Sequence, residues 1–582
     1  MYRKTLLLLV AVSFCFAAET KARQKPRSAA PKPLARGTSV NAGAKEILSS
    51  LTLRQKIAQL IIIAANGEVP ARRSAEAIRL NNAVGQLEVG GLIVINGVDR
   101  SGVRNAEPYE LLTLLNGMQK LSKLPLIIGS DMERGASMRV SKTTKYPHNM
   151  AFNAAGDLGA TKHLGAATAR EARTLGIHWI FAPVADVNNN PDNPVISIRS
   201  FGQRADEVAS HVQAYIEGAH SDPNFPILVC AKHFPGHGDT AIDSHLGLAK
   251  NEASRERIDA IEMVPFRAAI ASKVDSIMTA HIAVPAIEPE EIPATISSKV
   301  ITKLLREELN FKGLITTDAM DMQGLTKMFP PGEAAVRALE AGVDILLMPK
   351  YPAAVITAVE KAVLSKRLTV SRIDASVEKL LNAKIRLGLF KDRFVDPKLA
   401  SGVLDQPEDA QLAQSVANRA VAIFKNTGNI VPIRDSNGAC FTVLIERRTS
   451  QQGMQFLEEI SKLAPNASQV LLDPTMLQGA LDETLEKSRN CRTIVVAAFV
   501  TLPSFRGDAP LPGNFTVLVQ ALIKTGRPVI LISLGNPYLL RSFPDVTAYL
   551  TTYSPTAPSE TAAARAVTGE IPITGRTVIS LK

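Results

Sequence analysis

Between residues 60 and 350 the chain alternates short apolar runs with segments whose apolar residues recur at helical spacing. The runs are Leu60–Ala65, Gly91–Asn96, Pro125–Asp131, Trp179–Asp186, Ile227–His233, Ser276–His281, Gly313–Asp318 and Val343–Met348. They are short and apolar at consecutive positions, which predicts parallel strands buried on both faces. Between them, segments such as Gly159–Leu175 and Val300–Leu309 carry the period of an amphipathic helix. Eight such strands with intervening helices predict a (β/α)8 barrel. An open doubly wound sheet is the competing arrangement, and the strand count favours the barrel.

Helical patterning continues through Val355–Leu387, and Val395–Gln406 reads as a linker. A second βα series follows, with strands expected at Phe441–Ile445, Gln469–Leu472, Thr493–Phe499, Pro528–Leu534 and Ala548–Tyr553. The expected fold class is α/β: a (β/α)8 TIM-type barrel followed by a smaller α/β sandwich domain. The expected boundaries are a leader at 1–17, a flexible basic Pro/Ala-rich segment at 18–44 and the barrel at 45–394. A linker at 395–415 and the C-terminal domain at 416–582 complete the chain.

The N-terminus changes this picture. Arg3 and Lys4 precede the apolar stretch Thr5–Phe16, with Ala17 and Ala18 at a cleavage point, as in a secretory signal. About 12 apolar residues fall short of the roughly 20 that span a bilayer, so no stable membrane insertion is expected after cleavage. The product is expected to be exported, periplasmic or extracellular. The formal net charge is +11, and Lys21, Arg23, Lys25, Arg27, Lys32 and Arg36 concentrate it near the N-terminus among Pro, Ala and Ser. Such a composition cannot bury a core. No aromatic-basic interleaving accompanies it, so nucleic acid is not an expected partner. Outside the leader stand Cys230, Cys440 and Cys491. Free buried thiols are the default reading, with a Cys440–Cys491 disulfide as the alternative in an exported protein.

Candidate chemistry sits at the strand ends, which face the active site of a barrel. There the runs finish on Asp131, Asp186, Lys232, His233, His281 and Asp318, whereas a surface selected for solubility would scatter Lys and Glu. After Lys232 and His233 the chain turns through Pro235 and Gly236 and then carries Asp243 and His245. A carboxylate beside an imidazole fixes its tautomer and raises its basicity, equipping the ring as general acid and then base. The cluster of His233, His237, Asp243 and His245 also admits a metal reading, but it lacks helical His-x3-His spacing. No metal and no cofactor are expected.

Here a resemblance becomes specific. Lys232–Thr240 (KHFPGHGDT) with Asp243–His245 resembles the signature of glycoside hydrolase family 3, in its β-N-acetylhexosaminidase branch. Asp131–Arg139 (DMERGASMR), Phe181–Gly202, Met278–His281 (MTAH), Gly313–Met322 (GLITTDAMDM) and Ser533–Tyr538 (SLGNPY) match in order, so the likeness covers about residues 45–582. It implies a retaining mechanism with Asp318 as nucleophile and His245 as acid/base, assisted by Asp243. It places Asp131, Arg199, Lys232 and His233 on the sugar hydroxyls. Arg139 and Asp186 stand either in contact with substrate or in supporting salt bridges. Arg134 departs from the pattern, because the family motif has its first glycine there. Asp321 is the decoy next to the nucleophile, His237 reads as structural in its turn, and Tyr146 and His148 as supports of the barrel top.

The expected activity is an exo-acting β-N-acetylglucosaminidase taking a small saccharide of the muropeptide or chitin type. A β-glucosidase of the same family is the alternative, and it usually draws a glutamate acid/base from the second domain. Glu483 and Glu486 lie there, in a helical pattern that reads as surface. An imidazole in place of a carboxylate also lowers the negative charge facing an anionic acceptor, which leaves phosphorolysis open. A non-catalytic sugar-binding protein is a third reading, disfavoured because both Asp318 and His245 are present.

Overall fold

The computed structural model describes residues 40–99, 102–501 and 510–581. The leader and the basic segment as far as residue 39 lie outside the described residues, and a helix, Val40–Ser50, already begins before residue 44.

The apolar runs form one sheet of parallel strands: β1 (Ile61–Ala65), β2 (Gly91–Val94), β3 (Ile127–Ser130), β4 (Trp179–Ile180), β5 (Leu228–Phe234), β6 (Ser276–Thr279), β7 (Leu314–Thr317) and β8 (Leu346–Leu347). Neighbours pair in chain order, β1 also pairs with β8, and the parallel bridge Thr316–Ile345 brings β7 to the start of β8. The sheet therefore curls into a barrel, which sets the open-sheet alternative aside. Except for β5, the strands are shorter than the runs, and the polar ends Asp131 and Asp318 lie just past the ladder. Strand β4 shrinks most. Pro183 has no N–H to donate, so the run continues only as the isolated bridge Val184–Lys232.

Strands β2, β3, β5, β6 and β7 are buried at every position, as parallel strands between a packed interior and a helical jacket must be. The single tryptophan, Trp179, packs edge-on against Phe181 at 5.1 Å between ring centroids. Its indole N–H donates to Ser276 Oγ at 2.7 Å, which removes the cost of burying an unpaired donor. The Gly159–Leu175 pattern becomes the helix Leu158–Thr174, capped by the Asp157 side chain accepting from Ala160 N–H. The Val300–Leu309 pattern becomes Lys299–Glu308, a turn of the wider π type.

The second sheet has six strands: β9 (Ala422–Asn426), β10 (Ala439–Leu444), β11 (Ser468–Leu472), β12 (Thr493–Val500), β13 (Val529–Gly535) and β14 (Ala548–Thr551). Strand β9 was not anticipated; it is an antiparallel edge on β14. Alternate residues feed two cores. Phe441, Val443, Val495 and Ala497 face the helices Met454–Leu463 and Ala557–Thr568, while Cys440, Leu444, Ile494 and Val496 face Phe515–Lys524. Cys440 and Cys491 are joined as a disulfide, with Cα atoms 5.8 Å apart, which corrects the default of free thiols. Cys230 is free and buried in the barrel.

The segment read as a linker contains the start of the helix Pro407–Ala420. Its Ala413 and Val416 belong to the barrel core, and its Ala417 to the second core. A further apolar cluster (Met150, Ile198, Ala422, Tyr538, Tyr553 and Val578 among its members) joins the second domain to the barrel. The Tyr538 hydroxyl accepts from Asn188 Nδ2 at 2.8 Å across this junction. The second domain thus reaches loops that frame the barrel mouth.

Candidate active site

The expected residues lie at the ends of barrel strands or in the loops that follow them. Asp131 follows β3 and Asp318 follows β7. Lys232 and His233 lie within β5 where its register to β6 slips between Ala231 and Phe234. Successive residues of a regular strand point to opposite faces, and a bulge re-aims them. Both side chains here meet partners in the mouth.

Two carboxylates and three cations form its floor. Lys232 Nζ lies 2.7 Å from Asp131 Oδ1 and 2.8 Å from Glu133 Oε1. Arg199 grips Glu133 in a fork, Nε to Oε2 at 2.9 Å and Nη2 to Oε1 at 2.7 Å. Arg139 Nη2 donates to Asp131 Oδ2 at 2.8 Å and its other arm to Asn96 Oδ1. Burial opposes the charges of Asp131, Glu133, Arg199 and Lys232, but the neighbouring opposite charges win. Asp131 and Glu133 are held well below the usual carboxylate range, and Lys232 above its ordinary value. Glu133 was not singled out from sequence. The one signal for it is its place in DMERGASMR, because its partners Lys232 and Arg199 are distant in the chain.

For Asp186 both substrate contact and a supporting role were open, and its surroundings fit the supporting one. It is 0% exposed and lies behind His233. Its carboxylate accepts from His233 Nδ1 at 2.7 Å and from the His237 N–H at 2.6 Å, so its oxygens are engaged by protein. With Nδ1 so bound, His233 turns Nε2 toward Arg199 Nη2, 3.3 Å away.

The loop bearing His245 is tightly braced. His245 Nδ1 and its N–H both meet Asp243 Oδ1, at 2.7 and 2.8 Å. Asp243 is buried and the His245 side chain is 24% exposed. His237 links the turn to this loop, with Thr240 Oγ1 at its Nδ1 and Ser244 Oγ at its Nε2, both at 2.8 Å. Gly238 is required where the turn passes Val187, since a Cβ there would sit 1.8 Å from the Val187 carbonyl oxygen. Ser244 O accepts from Gly324 N–H at 3.1 Å, and Leu246 O from Lys327 Nζ at 2.7 Å. The loop is therefore docked on the segment that follows Asp318. Among the described residues no three His, Cys, Asp or Glu side chains are grouped so as to hold a metal ion.

Asp318 is half-buried, and Ala319 N–H donates to its Oδ1 at 2.7 Å. Burial raises its pKa, but His233, His281, the Ala319 N–H and His245 together hold it below the ordinary value. His281 fixes the same turn from beneath, with Nε2 3.1 Å from Ala319 O and Nδ1 2.8 Å from Thr295 Oγ1. Asp321 is exposed. His148, from the barrel top, meets Ser554 Oγ of the second domain at 3.1 Å. Glu483 and Glu486 are exposed and paired with Lys487 and Arg489 on their own helix, at 2.6 and 3.1 Å.

An anionic carboxylate near a carboxylate-backed imidazole, above a floor of paired charges suited to hydroxyl groups, is the equipment of a glycoside hydrolase. The chain belongs to glycosyl hydrolase family 3: residues 52–383 match the family's N terminal domain. It is 29% identical over 542 residues to beta-hexosaminidase A of Pseudoalteromonas piscicida, covering 84% of this chain and 87% of that one. It is 31% identical over 356 residues to a beta-N-acetylglucosaminidase/beta-glucosidase of Cellulomonas fimi, covering 60% and 61%. A solved family 3 beta-N-acetylglucosaminidase from Paenibacillus sp. str. FPU-7 superposes with a TM-score of 0.81 at 31% identity, over 91% of this chain and 99% of that one.

Proposed function

We propose that this chain is an exo-acting, retaining β-N-acetylglucosaminidase that hydrolyses terminal β-linked N-acetylglucosamine from muropeptide or chitin-type saccharides. The observation that carries the reading is the His245–Asp243 pair docked on the segment that follows Asp318. The names of the Pseudoalteromonas and Paenibacillus relatives support the choice of sugar.

In the first step the Asp318 carboxylate bonds to the anomeric carbon as the C–O bond to the departing group breaks. His245 Nε2–H protonates the departing oxygen, while Nδ1–H stays on Asp243, which stabilises the ring in both charge states. In the second step water attacks the same carbon, gives its proton to Nε2 and releases Asp318, so configuration is retained. His233, His281, the Ala319 N–H and His245 favour the anionic form of Asp318 that attack requires. Lys232, Arg199, His233 and Asp131 orient the sugar hydroxyls, with Glu133, Arg139 and Asp186 holding them in place. The leader at 1–17 suits action outside the cytoplasm, in wall turnover or scavenging.

Initial rates on paired N-acetylglucosaminide and glucoside chromogens test this reading. A clear preference in kcat/KM for the N-acetylglucosaminide is expected, and dominance of the glucoside overturns it.

A further inference from the structure

The floor of the mouth leaves one cation over. Arg139, Lys232 and Arg199 already surround the carboxylates of Asp131 and Glu133. Arg134, in the same loop, makes no hydrogen bond or ion pair with any described residue; its charge is felt only through space by its neighbours. The side chain is half-buried. Arg134 follows Glu133 in this loop, and its charge acts on His148, whose ring bonds Ser554 of the second domain. Burial, and then repulsion from Arg139, draw its pKa down to about 10, which Glu133 offsets only in part.

A guanidinium that is partly desolvated and unpaired loses the bidentate bonds that its planar fork makes best, those to carboxylates and phosphates. A terminal N-acetylhexosamine carries no charge and offers it only neutral acceptors, weaker partners than an oxyanion. In an exo-acting pocket, a group that reaches past the terminal sugar belongs to the departing portion, or to an acceptor that enters after it leaves. We infer that Arg134 is a specificity-determining residue that binds an oxyanion at the rim. The oxyanion is either a carboxylate on the departing sugar or a free phosphate. In the phosphate case a phosphate oxygen bonds to the anomeric carbon as its bond to Asp318 breaks, giving a glycosyl phosphate and the free carboxylate. The inference rests on the glycosidase reading above.

The test uses a disaccharide whose departing sugar bears a carboxylate, with its methyl ester as a neutral twin of the same shape. Each is made with N-acetylglucosamine and with glucose at the non-reducing end. Wild type, Arg134→Gly and Arg134→Gln, each checked for folding by thermal melting, are compared with and without inorganic phosphate. We expect the wild type to favour acid over ester by tenfold or more in kcat/KM, and both variants to bring that ratio near one. A wild-type ratio near one, with phosphate-dependent formation of glycosyl phosphate that both variants lose, assigns the site to phosphate instead. Ratios and phosphate response that are unaltered by both substitutions overturn the inference. The terminal-sugar reading fails separately, as poor turnover of both N-acetylglucosaminides by the wild type, and the acid-to-ester ratio is then read on the glucosides.

Discussion

Both sheets of this protein end parallel strands in carboxylates, yet the two ends are built to opposite purposes. In the second domain Glu446 follows β10 and is saturated by neutral donors: Thr501 N–H at 2.8 Å, Thr501 Oγ1 at 2.5 Å and Gln452 Nε2 at 3.0 Å. Asp473, after β11, closes on the N–H and hydroxyl of Thr475 at 2.8 and 2.5 Å. In the barrel mouth, the one hydrogen bond to the Asp318 carboxylate among the described residues comes from Ala319, and the rest of its stabilisation comes through space from imidazoles. A strand end offers a place for chemistry. On the proposed reading, it is a carboxylate oxygen left without a hydrogen bond amid titratable rings that makes that place reactive.

Substitutions at the two ends should therefore separate cleanly. Asp318→Asn is expected to lower kcat/KM on the order of 10⁴-fold, the scale of losing a nucleophile, with melting nearly unchanged. Steady-state and single-turnover rates check this, and a loss below tenfold breaks the contrast. His245→Ala should cost on the order of 10²–10⁴-fold, least on substrates with good leaving groups, which need little protonation. A uniform loss across leaving groups would argue that His245 only holds its loop. Glu446→Gln should leave kcat within about twofold but destabilise the second domain by about 1–3 kcal/mol, the cost of disturbing a buried hydrogen-bond network. Denaturant melts and initial rates on the same preparation decide it.

How far the sequence foretold this contrast differs by level. The barrel strands were legible because a parallel strand covered on both faces must be apolar at every position, and β1 to β3 and β5 to β7 fall inside their runs but for the final Phe234 of β5. Strand β9 was missed: only Ala422 in it is buried, and nothing local distinguishes such an edge from a loop. The mouth residues Asp131, Lys232, His233 and Asp318 were visible as polar endings of apolar runs. Glu133 was hidden because its meaning depends on Lys232 and Arg199, brought to it only by closure of the barrel. Asp186 ends a run like the others, but depth behind His233 is a three-dimensional fact that no run shows. The Cys440–Cys491 pairing likewise depends on neighbouring strands bringing the two residues together.

The barrel supplies a third setting, a charge with no access to substrate. Lys384 is 0% exposed, donates from Nζ to Gln59 Oε1 at 2.8 Å, and burial pushes its pKa down to about 7 from 10.5. Between those values the unfolded chain binds the proton that the fold rejects, so this group makes stability rise with pH across that window. Lys384→Met should remove that slope and raise stability at pH 7 by up to a few kcal/mol, on the order of what such a shift represents. Melts at pH 7 and pH 9 test it; an unchanged slope contradicts the assignment. Activity at 25 °C should not respond, since the group lies far from the rim chemistry in kind and in place.

The central claim is that Asp318 forms a bond to the anomeric carbon. Incubating the enzyme with a fluorinated N-acetylglucosaminyl donor that slows release, followed by peptide mass mapping, reads that bond directly. The account predicts one added sugar mass on the peptide containing Asp318, absent in Asp318→Asn. An adduct on a different carboxylate, or full inactivation with the Asp318 peptide unmodified, would contradict it.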